Sequence, residues 1–164
     1  MSAAFILATA FTVPAKKQSA KFNSMEDGKY SMSFSKIVIE DDIDVMLHES
    51  AEKNILVEGW QGDVANVEWK VKNGVLYVSS KTGSLKGRVL VTVDVSGLKK
   101  IDINGASEVK SLGNLNSGSL YISMNGFGLV SIVNAGKIEL VNGEGISLDV
   151  KKKTANVHVS QAGV

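Results

Sequence analysis

IDING (Ile101–Gly105), ISMNG (Ile122–Gly126) and ELVNG (Glu139–Gly143) are three spellings of one unit, a short alternating apolar segment that ends on an asparagine–glycine corner. A weaker copy, VHVSQAG, runs from Val157 to Gly163. The corner residues Asn104, Asn125, Asn142 and Gln161 set a period of roughly 20 residues, the range of stacked solenoid coils. A second apolar segment follows each corner, with Val109, then Val130 and Ile132, then Ile146, Leu148 and Val150. Leucine-rich repeats share the period, but their leucine and asparagine framework with a helical side is absent. The pattern predicts an all-β chain, a right-handed parallel β-helix-like solenoid whose coils lie ~4.8 Å apart. Inward Ile, Leu and Val would form a narrow core. The alternative is a β-sandwich whose hairpins end in Asn-Gly. The candidate structural corner residues are Asn104, Gly105, Asn125, Gly126, Asn142 and Gly143. Asparagine tolerates the left-handed conformation and glycine adopts it freely, and stacked asparagines can hydrogen-bond between coils.

Upstream, residues 33–97 read as a β-rich part that precedes repeats over 98–164. Ile43, Val45 and Leu47 alternate with Asp42, Asp44, Met46 and His48, the mark of a half-buried strand. Val67, Trp69 and Val71 alternate up to Asn73-Gly74, the dipeptide of a type I′ hairpin, and the alternation resumes at Val75 and Tyr77 or their neighbours. GRVLVTVDV, residues 87–95, is a further β-branched run. Residues 16–32 are polar and without period, and read as a linker. Residues 1–15 contain the apolar run AAFILATAFTV, too short for a helix across a bilayer, which needs roughly 20 residues. With Val13 and Ala15 at cleavage-site spacing, it reads as a signal peptide whose start lies upstream, or was trimmed; a buried N-terminal strand or helix is the other reading. No transmembrane span is expected.

The stretches FSKIVIEDDIDVMLHES, NILVEGW, VKNGVLYVSS and VDVSGLKKIDINGASEVKS make this chain similar to the bacterial auto-transporter adhesin, head GIN domain family. The resemblance covers roughly residues 33 to 164 and is most specific at Ile101–Val109. It implies an envelope protein of a Gram-negative bacterium with an N-terminal signal and a β-helix-like fold, and it carries over no catalytic residue. The corners Asn125-Gly126-Phe127-Gly128 and Asn142-Gly143-Glu144-Gly145 depart from the Ser-Gly-Ala-Ser-like corners more usual there. The chain stops at Val164, inside what should be a repeat. The reading therefore expects further coils, and self-association through the open C-terminal coil.

Eighteen basic and seventeen acidic residues leave a net charge of +1, too balanced for nucleic acid or an anionic membrane surface. The absence of cysteine removes disulfides, thiolate metal sites and cysteine nucleophiles. The densest acidic cluster is Glu40, Asp41, Asp42 and Asp44. Several carboxylates suit calcium, but the alternation with Ile43 and Val45 and the lack of a calcium-loop glycine favour solvent-facing strand residues. His48 reads as an exposed surface histidine, distant from His158, so no zinc site is expected. Lys151, Lys152 and Lys153 read as a charged loop between coils. Trp60, Trp69, Tyr77 and Tyr121 could form a carbohydrate platform, but they do not recur at the coil period, which favours core or edge packing. Near the corners, Ser107, Gly128 and Gly145 supply no recurring acid of the kind a polysaccharide-active enzyme needs. No catalytic, cofactor or metal residue is therefore assigned. The expected function is a non-catalytic envelope or secreted binding module for a surface glycan or protein, located in the periplasm, at the outer membrane or outside the cell. A polysaccharide-active β-helix enzyme and a purely structural spacer are the alternatives.

Overall fold

The computed structural model describes residues 18–22, 33–142 and 157–161. Strands β1 (Gln18–Phe22), β2 (Lys36–Ile39), β3 (Ile43–Glu49) and β4 (Ile55–Gly59) precede a one-turn helix, α1 (Gln61–Val64). Then come β5 (Val67–Lys72), β6 (Val75–Ser80), β7 (Val89–Val95), β8 (Lys100–Ile103) and β9 (Ser107–Leu115). The last are β10 (Ser119–Met124), β11 (Gly128–Asn134), β12 (Lys137–Asn142) and β13 (Val157–Gln161). The described fold is all-β apart from α1. It consists of a six-stranded sheet in the order β1-β4-β7-β3-β9-β11 and a seven-stranded sheet in the order β13-β12-β10-β8-β2-β6-β5.

Alternation in each strand decides which face is inward, and pairing stacks the inward residues into columns. Leu76, Ile37, Ile101, Ile122 and Leu140 are successive partners across the seven-stranded sheet. Val91, Val45 and Val109 do the same across the other. All eight are buried in one apolar cluster. Neighbours in these columns are joined by parallel ladders, while antiparallel strands finish one end of each sheet, β4 and then β1 beside β7 and β5 beside β6. The β5–β6 hairpin turns on Asn73 and Gly74 at φ of 52° and 73°, with Lys72 opposite Val75. Two positive φ values make a type I′ turn.

Chain order and stacking order differ. The layer β2–β3 lies between β6–β7 and β8–β9, so the earliest layer is the middle one of the three. After β7 the chain passes over it: Lys99 and Lys100 donate backbone N–H to the Ser35 carbonyl at 2.8 and 3.1 Å, while Leu98 tucks into the core. Alternation reports which face a residue takes and nothing about which layer lies above which, so the sequence pattern carried no sign of this intercalation. Residues on both sides of position 98 thus share the same two sheets.

Two further differences from the sequence reading have simple causes. Within the expected linker, Gln18–Phe22 forms β1, an antiparallel edge strand on β4; such pairing uses backbone groups and requires no apolar alternation. The repeat alignment matched Asn142 to Asn125, but the ladder places Asn142 opposite Met124. The shift of one residue keeps Ile138 and Leu140 in the same columns as Leu120 and Ile122, and a one-residue slip would turn both outward.

At the corner between the sheets, layers approach closely. A Cβ on Gly105 would lie 1.6 Å from the Asp41 carbonyl oxygen, and one on Gly126 would lie 2.2 Å from that of Gly105. Gly118, exposed at the opposite corner, has open space where a Cβ would stand. Gly105→Ala is expected to cost at least about 3 kcal/mol in urea denaturation, since backbone must move, and Gly118→Ala to stay within about 0.5 kcal/mol. Similar midpoints for the two variants would contradict this packing.

Candidate functional site

The acidic cluster of the sequence sits at the corner between β2 and β3, and its carboxylates are already occupied. Asp41 Oδ2 accepts from the Ser80 amide at 2.8 Å and the Ser80 hydroxyl at 3.0 Å, one layer away. On the other side Glu40 accepts from Asn104 Nδ2 at 2.8 Å, Asp42 from the Ala106 amide at 3.1 Å, and Asp44 from the Glu108 amide at 2.9 Å. Arg88 adds an ion pair to Asp44 at 3.4 Å. These acids tie the intercalated layer to both neighbours. Their oxygens point at separate donors and do not converge on one ion. Among the described residues, no group of three or more His, Asp or Glu is arranged to hold a metal.

Asn125 Nδ2 donates to Asn104 Oδ1 at 3.1 Å, so a chain of bonds runs from Asn125 through Asn104 to Glu40. Gly105 and Gly126 stack beneath it, as described above. Gly143 lies outside the described residues, and so do Gly145, Lys151, Lys152 and Lys153 and residues 1–15. At the opposite corner buried Asn134 accepts from the Ser117 amide at 3.0 Å and donates to the Ser117 carbonyl at 2.8 Å. Sequence reading missed this residue, because it follows the second apolar segment and not the first.

The aromatic candidates are dispersed. Trp69 lies half-buried on the inner face of β5, opposite Val78. Trp60 is exposed before α1, with Lys86 Nζ 5.9 Å from its ring. Tyr77 and Tyr121 share the outer face of the seven-stranded sheet, but β2 and β8 lie between their strands. Each faces its own lysine, Lys70 at 5.9 Å and Lys100 at 5.1 Å. Between them Asp102 neutralises Lys36 at 2.5 Å and Lys100 at 3.3 Å.

Among the described residues, titratable groups converge on a concavity at the outer face of the six-stranded sheet. His48, Ser50, Glu52, Asn54, Leu56, Thr92 and Asp94 line an open depression of about 270 Å³. Register sets His48 beside Asp94 across β3 and β7, and His48 Nδ1 lies 2.8 Å from Asp94 Oδ1. Asn54 donates its backbone N–H and its side-chain amide to Asp94 Oδ2 at 3.1 and 3.0 Å, and the same amide nitrogen donates to Glu52 at 3.0 Å. His48 is thus on the polar side of its strand, as the alternation implied, but it is fixed by a partner 46 residues away. Asp94 is only 8% exposed. The signal that could have found it is an aspartate inside the β-branched run VLVTVDV.

Burial by itself pushes the Asp94 carboxyl up, but the bonds from His48 and Asn54 outweigh it and hold the group below the usual aspartate range. A carboxyl depressed by folding stabilises the native state above its unfolded value, about 3.9, and that contribution is lost as pH falls through the folded value. Asp94→Asn is expected to cost about 1–3 kcal/mol at neutral pH. The gap between wild type and variant should narrow on acidification below about pH 4. A gap constant from neutral to strongly acid pH, measured by urea midpoints, would refute the assignment. Asp44→Ala, which leaves the Glu108 amide without its acceptor, is expected to cost about 1–2 kcal/mol by the same measurement.

Residues 33–164 match the family model described as "Putative auto-transporter adhesin, head GIN domain". No curated protein matches the chain. Among solved structures, a putative adhesin from Parabacteroides merdae is similar at 20% identity and TM-score 0.65, over 79% of this chain and 54% of that one. A putative adhesin from Bacteroides fragilis gives 19% identity and TM-score 0.63 over 80% and 60% of the two chains. One from Parabacteroides distasonis gives 16% and 0.58 over 79% and 58%. At these identities the likeness is one of fold. The chain spans between 54% and 60% of the length of these three structures.

Proposed function

Because the chain belongs to the auto-transporter adhesin, head GIN domain family, we propose that it is a non-catalytic, adhesin-like binding module of the bacterial cell envelope. The observation that carries the reading is where the acidic groups point. A hydrolase or lyase of carbohydrate needs two or more acid or base groups aimed at one bond. Here Glu40, Asp41, Asp42 and Asp44 each hold a separate neighbouring group, and Asp63 receives the Lys86 and Gly87 amides at 2.9 and 3.0 Å. Asp94, which shares a depression with Glu52 and His48, has both oxygens engaged by His48 and Asn54.

In this reading the described strands from β2 to β13 form one right-handed β-helix-like stack. Asn104, Gly105, Asn125 and Gly126 serve as its corners. The module works in the periplasm, at the outer membrane or outside the cell. The relatives named putative adhesins from Parabacteroides and Bacteroides support that location. The ligand is a surface glycan or protein, and self-association through β13 belongs to the same proposal. Among the described residues, no helix is long and apolar enough to cross a membrane.

The test is retention of the purified chain on a glycan array and on protein-coated surfaces, alongside turnover assays on the same polysaccharides. Retention without turnover is expected. Turnover of a polysaccharide, abolished by Asp94→Asn, would replace this reading with an enzymatic one.

A further inference from the structure

Resting on that reading, we propose that the depression between β3, β4 and β7 is a receptor for a basic side chain, lysine or arginine, presented by a partner protein. Its lining is rich in acceptors and net negative. Asp94 and Glu52 contribute carboxylates, and no lysine or arginine lines the depression. Lys53, between Glu52 and Asn54 in the same loop, is half-buried and does not line the depression; on the packed strands Arg88 pairs with Asp44, and Lys110 with Glu108 at 2.6 Å. Asn54 directs its amide nitrogen to Glu52 and Asp94, which turns its carbonyl oxygen away from both. His48 holds Asp94 through Nδ1, which leaves Nε2 as the ring atom open to a ligand. In the neutral ring with Nδ1 protonated, Nε2 is an acceptor.

The walls add a second requirement. Leu56 lines the depression, and Leu112, opposite His48 on β9, is 58% exposed. An acceptor-lined floor beside an apolar shoulder matches a side chain with a methylene stem and a cationic head. Anions meet two carboxylates. Sugars are disfavoured because no Phe, Tyr or Trp lines the site. The volume, about 270 Å³, falls below the usual range of cofactor pockets, roughly 300–1,000 Å³, and accommodates a single side chain.

The test is a titration of the isotopically labelled chain with N-acetyl-lysine methylamide, N-acetyl-arginine methylamide and uncharged N-acetyl-norleucine methylamide, followed by amide chemical shifts. The two cations are expected to give saturable shifts at the Asn54 side-chain amide and at Thr92, in the millimolar range of a single exposed ion pair with a short apolar contact. Norleucine should give none. Glu52→Gln, with an otherwise unchanged spectrum, should weaken the cations by about tenfold, and Leu56→Ala should weaken them with the charge intact. Equal shifts from norleucine, an unaffected Glu52→Gln variant, or the same residues responding to a neutral oligosaccharide would each overturn the proposal. Retention of wild type and Glu52→Gln on protein-coated surfaces separates the two levels. Equal retention removes the depression as the contact and leaves the adhesin-like reading standing. Absence of any wild-type retention overturns that reading, and the titration then decides the site on its own.

Discussion

At Asp41 three layers of the protein meet. Its backbone is left-handed, with φ of 61°. Its carboxylate reaches the Ser80 amide of one neighbouring layer, and its carbonyl accepts the Ser107 hydroxyl of the other at 3.2 Å. The same carbonyl lies where a side chain on residue 105 would have to stand, so that position has no room for a Cβ. A non-glycine residue in this region is tolerated chiefly when it is aspartate or asparagine. The corner therefore joins a conformational requirement, two charge-assisted bonds and a steric exclusion within one residue. The parallel ladders on both sides start from the register that it sets.

That register has consequences for how the chain must assemble. The layer β2–β3 is flanked on one side by residues about 40 positions later and on the other by residues about 64 later, as the bonds Ser80–Asp41 and Glu108–Asp44 record. Neither flank is local, so loop-closure entropy must be overcome before either pairing is rewarded. The connector through Leu98 places β8 against a layer already present. Antiparallel β4 and β1 on one sheet and β5 on the other lie at the end opposite to the direction in which β10, β12 and β13 extend. The core is continuous from β6 and β7 through β2–β3 and β8–β9 to β10 and β12, so disturbing the middle layer affects both sheets.

The outer faces, freed from core duty, differ chemically. On the seven-stranded sheet, lysines, tyrosines and Asp102 neutralise or cover one another. On the six-stranded sheet, His48, Asn54 and Glu52 gather around Asp94 and leave acceptors open beside apolar shoulders. Little of that site could be read in the sequence. His48 and Asp94 lie 46 residues apart, and only the parallel pairing of β3 with β7 makes them neighbours. The acidic run at 40–44 was visible as a cluster, but its role was not, because the amides it binds belong to Ser80, Ala106 and Glu108.

What the sequence by itself determined is local: strand character, inward and outward faces, the Asn73-Gly74 turn and the recurrence of short strand-and-corner units. Each follows from a period of two, or from residues that alone tolerate a given φ, and both are properties of neighbours along the chain. The tertiary structure decided layer order, the one-residue register at Asn142 and the partner of every corner carboxylate. Parallel strands pair through backbone groups that are the same in every residue. Selection among pairings therefore falls to side-chain volume in the core columns and to carboxylates at the corners. Those fits exist only once distant segments are brought together.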